Sequence, residues 1–338
     1  MSSQKSNHPV TLFTGQWADL PFEEVARLAA SWGYDGLEIC TWGDHLDLKR
    51  AEEDPSYLQS RRDILDKYNL NVYAISTHLS GQAVCDNPID FRHEAILRDY
   101  MWGDGEAEGV RQRAAEEQKR AARVARKLGV DTVVGFTGSS IWQYVAMFPP
   151  VPESVIDAGY QDFADRWNPI LDVFDAEGVR FAHEVHPSEI AYDYYTTVKT
   201  LEVIDHRPAF GLNWDPSHMM WQNLDPVAFI LDFADRIYHV DCKDTRMRLG
   251  NGRRGVLGSH LPWSHMQRGW DFVSTGHGDV PWEDSFRALE FIGYKGPISV
   301  EWEDAGMDRL LGAKEAVGFV RSLLWEKPAG AFDAAFSK

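Results

Sequence analysis

One stretch in the middle of the chain combines several side chains that can bind a metal ion or exchange a proton. It reads "FAHEVHPSE", from Phe181 to Glu189, and it contains two histidines and two glutamates. The flanking residues are apolar and favour strands, so the sequence predicts that these polar groups lie in or beside a buried strand. Burying carboxylates and imidazoles is costly unless each has a partner. The stretch therefore calls for a compensating cation or for several basic groups.

Further candidate ligands stand at the ends of other apolar runs. Asp215 closes "AFGLNWD" with His218 just beyond it, His239 lies in "IYHVDCKD", and Glu301 closes "GPISVE". Two glutamates, an aspartate and a histidine offer mixed oxygen and nitrogen ligands, which suit Mn²⁺, Mg²⁺, Co²⁺ or Zn²⁺. We predict one divalent ion, with Mn²⁺ favoured, at a site that adds Glu184 to these residues. The alternative is a set of structural ion pairs, but buried acids without a cation need several basic partners.

The elements that must position these residues alternate regularly along the chain. Helical patterns separate eight short β-rich runs; "PFEEVARLAASWG", for example, has a proline near its start and a glycine at its end. The runs are "VTLFTGQW" (Val10–Trp17), "GLEICTW" (Gly36–Trp42), "NVYAISTHLSG" (Asn71–Gly81), "DTVVGFTG" (Asp131–Gly138), "VRFAHEVHP" from Val179, "AFGLNWDPSH" from Ala209, "IYHVDCKD" from Ile237 and "GPISVEWED" from Gly296.

Eight strands, each followed by helical sequence, predict an α/β fold of the (β/α)₈ TIM-barrel type. We expect a single domain over residues 1–338, with the barrel core at about 10–325 and insertions in its loops. A doubly wound open sheet is the competing fold, but it usually carries a glycine-rich loop after its first strand. "FTGQWADLPF" has no such loop. In a barrel the carboxyl ends of the strands share one mouth, so the candidate ligands converge there.

Composition excludes several classes of function. Lys and Arg total 34 against 52 Asp and Glu, and the formal net charge of -18 disfavours binding to nucleic acid. The N-terminus has no apolar signal core and no run is long enough to span a membrane, so no membrane partner is expected. The 3 cysteines are scattered without a CxxC pair, which favours a reducing, cytoplasmic location.

Four motifs together resemble the xylose isomerase-like TIM-barrel superfamily of sugar isomerases and epimerases. They are "HEVHPSE", "NWDPSH", "YHVDCKD" and "ISVEWED", and "GHGDVPWEDSFRALEFIGYKGPISVE" resembles that family's closing segment. By similarity to the ketose 3-epimerase branch, Glu184, Asp215, His239 and Glu301 would be the metal ligands. His218 and Arg246 would match the histidine and the arginine that contact the substrate in that branch.

The resemblance implies a metal-dependent sugar isomerase or epimerase that acts on a ketose or a polyol-derived keto sugar. The cation would stabilise the enediolate formed when a proton leaves the carbon beside the carbonyl. Glu184 and Glu301 are the predicted acid/base pair, one on each face of that carbon. By analogy with such barrels, the chain would also be able to form homo-oligomers.

Two other functions remain open on the same fold. A keto-inositol dehydratase, a lyase, would use the same enolising step and then expel a hydroxyl group. An AP endonuclease of the endonuclease IV type shares the barrel but needs a histidine at strand 4 and an Asp-x-His after strand 7. Here strand 4 reads "GFTGSS" and no Asp-x-His follows His239, so the nuclease ranks last.

Several other residues are candidates for binding the substrate. Lys243 follows His239 on the same strand exit, and His78 and Glu38 stand near the ends of strands 3 and 2. His186 and Glu189 would either face the site or bond to each other in a loop, and Trp42 would either stack on a sugar face or pack in the core. The segment 245–274 is rich in arginine, which makes it either a solvated insertion or a site for an anionic group.

Overall fold

The computed structural model of the protein describes residues 8–250, 252–325 and 336. Residues 1–7, for which the sequence predicts no signal segment, lie outside the described residues, as does Asn251 of the arginine-rich segment. Within the described part of the chain, no helix has both the length and the apolar composition that crossing a bilayer requires.

Eight parallel strands form one sheet in the order β10-β1-β2-β3-β4-β5-β6-β7. A bridge between Asp241 and Ser299 joins the two edge strands, so the sheet closes into a barrel. The predicted (β/α)₈ fold is therefore confirmed. The strands are β1 (Val10–Phe13), β2 (Gly36–Cys40), β3 (Asn71–Ser76), β4 (Thr132–Gly135), β5 (Arg180–Glu184), β6 (Phe210–Trp214), β7 (Ile237–Val240), β8 (Asp244–Met247), β9 (Trp270–Val273) and β10 (Ile298–Val300).

Helices cover the outside of the barrel, and their apolar faces pack on the buried strands. The helix Phe22–Trp32 ends where the sequence predicts, because Gly33 adopts the left-handed conformation with φ of 95°, and the helix Ala107–Leu128 ends in the same way at Gly129 with φ of 81°. The α-helices are α1 (Phe22–Trp32), α2 (Leu48–Glu53), α3 (Pro55–Lys67), α4 (His78–Cys85), α5 (Phe91–Glu94), α6 (Asp99–Trp102), α7 (Ala107–Leu128), α8 (Glu153–Glu177), α9 (Tyr194–Val203), α10 (Pro216–Trp221), α11 (Pro226–Asp232), α12 (Trp282–Phe291) and α13 (Arg309–Leu323).

The run predicted as one strand from Asn71 to Gly81 is two elements. Strand β3 ends at Ser76, and α4 begins at His78. A Cβ atom at Gly81 would lie 2.1 Å from the carbonyl oxygen of Phe136, so only glycine lets α4 approach the segment after β4 this closely. The short helix turns His78 toward the barrel mouth.

The arginine-rich segment forms an antiparallel hairpin outside the barrel sheet. Strand β8 pairs with β9, and residues 248–269 connect them. Asp244 fixes the base of this hairpin, because its Oδ2 accepts hydrogen bonds from the Gly276 N–H (2.9 Å), the Gly278 N–H (3.0 Å) and Trp282 Nε1 (2.9 Å). The hairpin is thus held at the carboxyl end of the barrel, beside the predicted site.

Candidate metal centre

Four buried carboxylates from four strands converge at the carboxyl end of the barrel. Glu184 ends β5, Asp215 and Asp241 follow β6 and β7, and Glu301 follows β10. All four are buried, with Glu301 the most exposed at 6%. One oxygen each from Glu184, Asp241 and Glu301 lie within 4.8 Å of one another. Asp215 adjoins them through His218, whose Nε2 is 3.2 Å from Asp215 Oδ2 and 3.4 Å from Glu184 Oε1.

Each carboxylate is held by a hydrogen bond to one of its two oxygens. The donors are His78 Nε2 to Glu184 Oε2 (2.8 Å), the Ser217 N–H to Asp215 Oδ1 (2.8 Å), Asn213 Nδ2 to Asp241 Oδ2 (2.6 Å) and Gln16 Nε2 to Glu301 Oε1 (3.0 Å). The other oxygen of every carboxylate is buried and accepts no hydrogen bond from any described residue. Buried acceptors are rarely left unpaired, so these four oxygens fit the ligand set of a divalent cation.

The pKa values of the carboxyl groups in the cluster also favour the binding of a cation. Burial raises the pKa of Asp241 to about 7, with the charge of Glu38 as the next cause. Burial likewise raises the pKa of Glu301 well above its ordinary value, despite the nearby Lys243. Glu184 is also buried, but its contacts with His218 and His78 outweigh burial and hold its pKa well below its ordinary range. Local bases thus compensate only part of the cluster, and a dication would compensate the rest.

His239 lies two residues before Asp241 along β7, so it sits deeper in the barrel than Asp241. Its Nε2 is 2.8 Å from Glu38 Oε2 and 3.5 Å from Asp241 Oδ1. Burial lowers the pKa of His239, but Glu38 and Asp241 raise it to about 10, and the same contact lowers the pKa of the buried Glu38 to about 2. The structure therefore places the predicted ligand His239 in an ion pair with Glu38, below the carboxylate cluster.

Asp241 is not among the ligands predicted from the sequence, although it lies two residues after His239. Side chains at positions i and i+2 of a strand point to the same face, so both residues face the barrel interior at different heights. This alternation in "YHVDCKD" is the signal that would have identified Asp241 as a second candidate. Asn213 and Gln16, which hold Asp241 and Glu301, carry no comparable sequence signal.

The structure brings four of the predicted substrate-binding residues to the cluster. Lys243 Nζ lies 3.2 Å from Glu301 Oε1 and 3.5 Å from Asp215 Oδ2. His78 and His218 contact Glu184, as described above. The ring centroid of His186 is 4.0 Å from that of His218, and burial lowers the pKa of His186 well below its ordinary value. All four lie in or beside the carboxylate cluster.

Trp42, Arg246 and Glu189 have other surroundings. The Trp42 ring lies 6.3 Å from that of His78, and its Nε1 donates to the carbonyl of Gly15 (3.2 Å). Arg246 is exposed and donates to the carbonyl of His277, away from the carboxylates.

The Glu189 carboxylate accepts hydrogen bonds from the N–H groups of Thr137 (2.8 Å) and Gly138 (2.6 Å). Burial raises its pKa to about 8. Glu189 therefore fixes the loop after β4, and its carboxylate is bonded to this loop instead of to His186.

Comparison with known proteins assigns this barrel to a family. The family model described as a xylose isomerase-like TIM barrel matches residues 26–323. The chain belongs to the xylose isomerase-like TIM-barrel family. The resemblance predicted from the sequence is thus confirmed, and so is the TIM-barrel fold.

Two curated proteins and one solved structure are similar to this chain. The uncharacterized protein YfiH of Bacillus subtilis is 28% identical over 323 residues, which cover 90% of this chain and 95% of YfiH. An inosose dehydratase of Clostridium botulinum is 25% identical over 157 residues, covering 44% of this chain and 51% of that protein. The solved 3-keto-D-glucoside 4-epimerase YcjR of E. coli superposes with a TM-score of 0.65 at 14% identity, covering 93% of this chain and 99% of YcjR.

Proposed function

We propose that the protein is a divalent-metal-dependent isomerase or epimerase that acts on a ketose or a polyol-derived keto sugar. One observation carries the proposal: four carboxylates at the barrel mouth each keep one buried oxygen without a hydrogen bond from a described residue. A metal site of this kind suits reactions that remove a proton from the carbon beside a carbonyl group. The relatives named above include enzymes of keto sugars and keto polyols, which supports the substrate class.

We propose Glu184, Asp215, Asp241 and Glu301 as the metal ligands. Asp241 replaces the His239 of the sequence prediction, because the imidazole lies deeper and is paired with Glu38. The resulting set is all oxygen, which favours Mn²⁺ or Mg²⁺ over Zn²⁺. When bound, such a cation polarises a carbonyl and stabilises the negative charge that develops on its oxygen as the neighbouring proton leaves.

Glu184 and Glu301 remain the proposed proton carriers. Strands β5 and β10 are separated by β6 and β7, so the two glutamates enter the mouth from different sides. A substrate carbon held between them would present one face to each carboxylate. One glutamate would take the proton from the first face, and the other would return a proton to the opposite face. His78 orients Glu184, and Gln16 orients Glu301.

A keto-inositol dehydratase is the second candidate. The match to an inosose dehydratase supports it, as does the position of Lys243, whose Nζ is 3.2 Å from Glu301 Oε1. In this reaction a carboxylate removes the proton beside the carbonyl, and Lys243 or Glu301 donates a proton to the hydroxyl that leaves as water. The nuclease function gains no support, because strand 4 carries no histidine and no Asp-x-His follows His239.

One experiment tests both candidates. The protein is incubated in D₂O with ketoses and with keto-inositols, first after EDTA treatment and then with added Mn²⁺, and the products are followed by NMR and mass spectrometry. An epimerase or isomerase gives a product of substrate composition with deuterium beside the carbonyl, whereas a dehydratase gives a product that has lost one water. Exchange that is indifferent to EDTA and Mn²⁺ would exclude the proposed mechanism.

A further inference from the structure

A separate cavity lies beside the carboxylate cluster, between the hairpin and the segment that follows β10. Its volume is about 260 Å³. This is just below the range of about 300–1,000 Å³ that holds drug-sized ligands, so it has room for one small ring. The lining residues that matter for its chemistry are Gln16, Trp263, Asp271, Phe272, Trp302 and Glu303.

The cavity shares a wall with the carboxylate cluster. Gln16 Nε2 donates to Glu301 Oε1 and to Glu303 Oε1, both at 3.0 Å. Lys243 Nζ lies 3.6 Å from Glu303 Oε1 and 4.7 Å from the centroid of the Phe272 ring. A molecule bound at the cluster would therefore reach the cavity by extending past Gln16 and Lys243.

Aromatic side chains form two sides of the cavity. Trp263, from the connection between β8 and β9, stacks on Phe272 with ring centroids 5.1 Å apart and an angle of 26°. Trp302 is fixed on the other side by a hydrogen bond from its Nε1 to Ser274 Oγ (2.9 Å). Trp263 lines the cavity and remains 52% exposed. Aromatic faces of this kind pack against the C–H face of a sugar ring.

The polar groups of the cavity are mainly hydrogen-bond acceptors. Asp271 is 2% exposed, and its Oδ2 accepts no hydrogen bond from a described residue, although Arg248 lies 3.7 Å away. Gln16 Oε1 is buried and likewise accepts no hydrogen bond within the described chain. Acceptors that lack donors suit the hydroxyl groups of a polyol. Carboxylates at Asp271 and Glu303 would repel an anion.

Two arginines of the hairpin, Arg268 and Arg254, have structural partners in the loop itself. Arg268 stacks on Trp263 with its guanidinium 4.1 Å from the ring centroid and donates to the carbonyl of Leu261 (2.7 Å). Arg254 donates to the carbonyl of Arg248 (3.2 Å). These contacts fix the loop that carries Trp263, so the arginine-rich sequence serves to build the aromatic wall.

We propose that this cavity binds a second, uncharged, polyhydroxylated ring of the substrate. The substrate would then be a keto sugar or keto polyol joined to another ring by a glycosidic bond, with the carbonyl ring at the carboxylate cluster. This inference rests on the proposed function for the identity of the reacting ring. The proposed binding in the cavity depends only on a neutral ring with hydroxyl groups packing against Trp263, whatever reaction occurs at the carboxylate cluster.

Binding is tested without any turnover. The probe is methyl β-D-glucopyranoside, which has one ring and no carbonyl, and its binding is measured by saturation-transfer NMR. Trp263→Ala should weaken binding about 10-fold, a loss of about 1.4 kcal/mol, and Trp263→Phe should restore part of it. Leu257→Ala is the matched control, because Leu257 is 88% exposed on the same loop and does not line the cavity. Equal binding by wild type and Trp263→Ala would overturn the proposal, as would equal loss in the control.

A kinetic comparison separates this inference from the proposed function. Deuterium exchange is measured on a keto disaccharide and on the corresponding single-ring keto sugar. Trp263→Ala should lower kcat/KM for the disaccharide about 10-fold more than for the single ring. If that ratio does not change while exchange persists, the second-ring site is wrong and the proposed function stands. If neither compound exchanges but binding of the glucoside still depends on Trp263, the proposed function is wrong and the second-ring site stands.

Discussion

Replacing Asp241 by asparagine tests whether this residue is a metal ligand. The same replacement tests whether its buried charge lowers the free energy of unfolding when no metal is bound. Its pKa is raised from the ordinary 3.8 to about 7 by burial and by Glu38. A rise of about 3 pH units corresponds to about 4 kcal/mol of folding free energy, at about 1.4 kcal/mol per unit. Because the pKa is higher in the folded chain, ionisation of Asp241 opposes folding. This cost is absent below about pH 4, grows between about pH 4 and pH 7, and is complete above that range.

Asp241→Asn stays neutral and so avoids this cost, and its side-chain oxygen still accepts the hydrogen bond from Asn213. The contact of Asp241 with His239, which is 3.5 Å away, already lowers the pKa of Asp241, so its loss is included in this net cost. In EDTA at about pH 8 we expect the variant to be up to about 4 kcal/mol more stable than the wild type, and at about pH 4 we expect the difference to vanish. Urea unfolding followed by circular dichroism measures both values.

Added Mn²⁺ should reverse the order of stability. A ligand that binds only the folded chain stabilises it in proportion to the logarithm of its concentration over Kd, and the wild type keeps all four carboxylates. Asp235→Asn is the control, since its side chain is 81% exposed, and it should leave both measurements unchanged. A variant that is less stable than the wild type in EDTA at about pH 8, and that gains as much from Mn²⁺, would refute the assignment of Asp241.

Three further predictions follow from the same site and from the packing around it. Glu184→Gln and Glu301→Gln should each lower turnover by about 10²–10⁴-fold at saturating Mn²⁺; recovery of full turnover with excess metal would limit both glutamates to holding the cation. EDTA should abolish deuterium exchange, and Mn²⁺ or Mg²⁺ should restore it better than Zn²⁺ in side-by-side assays, because the ligand set is all oxygen; preference for Zn²⁺ would contradict this. Gly81→Ala should destabilise the protein by about 1–3 kcal/mol, because its Cβ would lie 2.1 Å from the carbonyl oxygen of Phe136. The control Gly318→Ala in α13 should not destabilise it, because nothing lies within 4 Å of the added Cβ. Equal shifts in the melting temperatures of the two variants would count against this explanation.

The sequence by itself determined the barrel and the strand ends that carry the site. Eight β-rich runs alternate with amphipathic helical segments, and this periodicity is local, so it is readable without the fold. Glu184, Asp215 and Glu301 each close an apolar run, and a barrel brings such positions to one mouth whatever the details of packing. The boundary errors are also local: the run from Asn71 continues in β-prone residues, but the chain turns into α4 at His78.

Only the tertiary structure decided which side chains share one height inside the barrel. His239 and Asp241 both point inward, and the stagger between neighbouring strands, a property of the closed sheet, brings Asp241 within reach of Glu184 and Glu301 and pairs His239 with Glu38. The same holds for Gln16, whose amide reaches Glu301 across 285 positions of sequence. Pairings of this kind depend on how the barrel closes, because contacts between distant strands have no periodic trace in the chain.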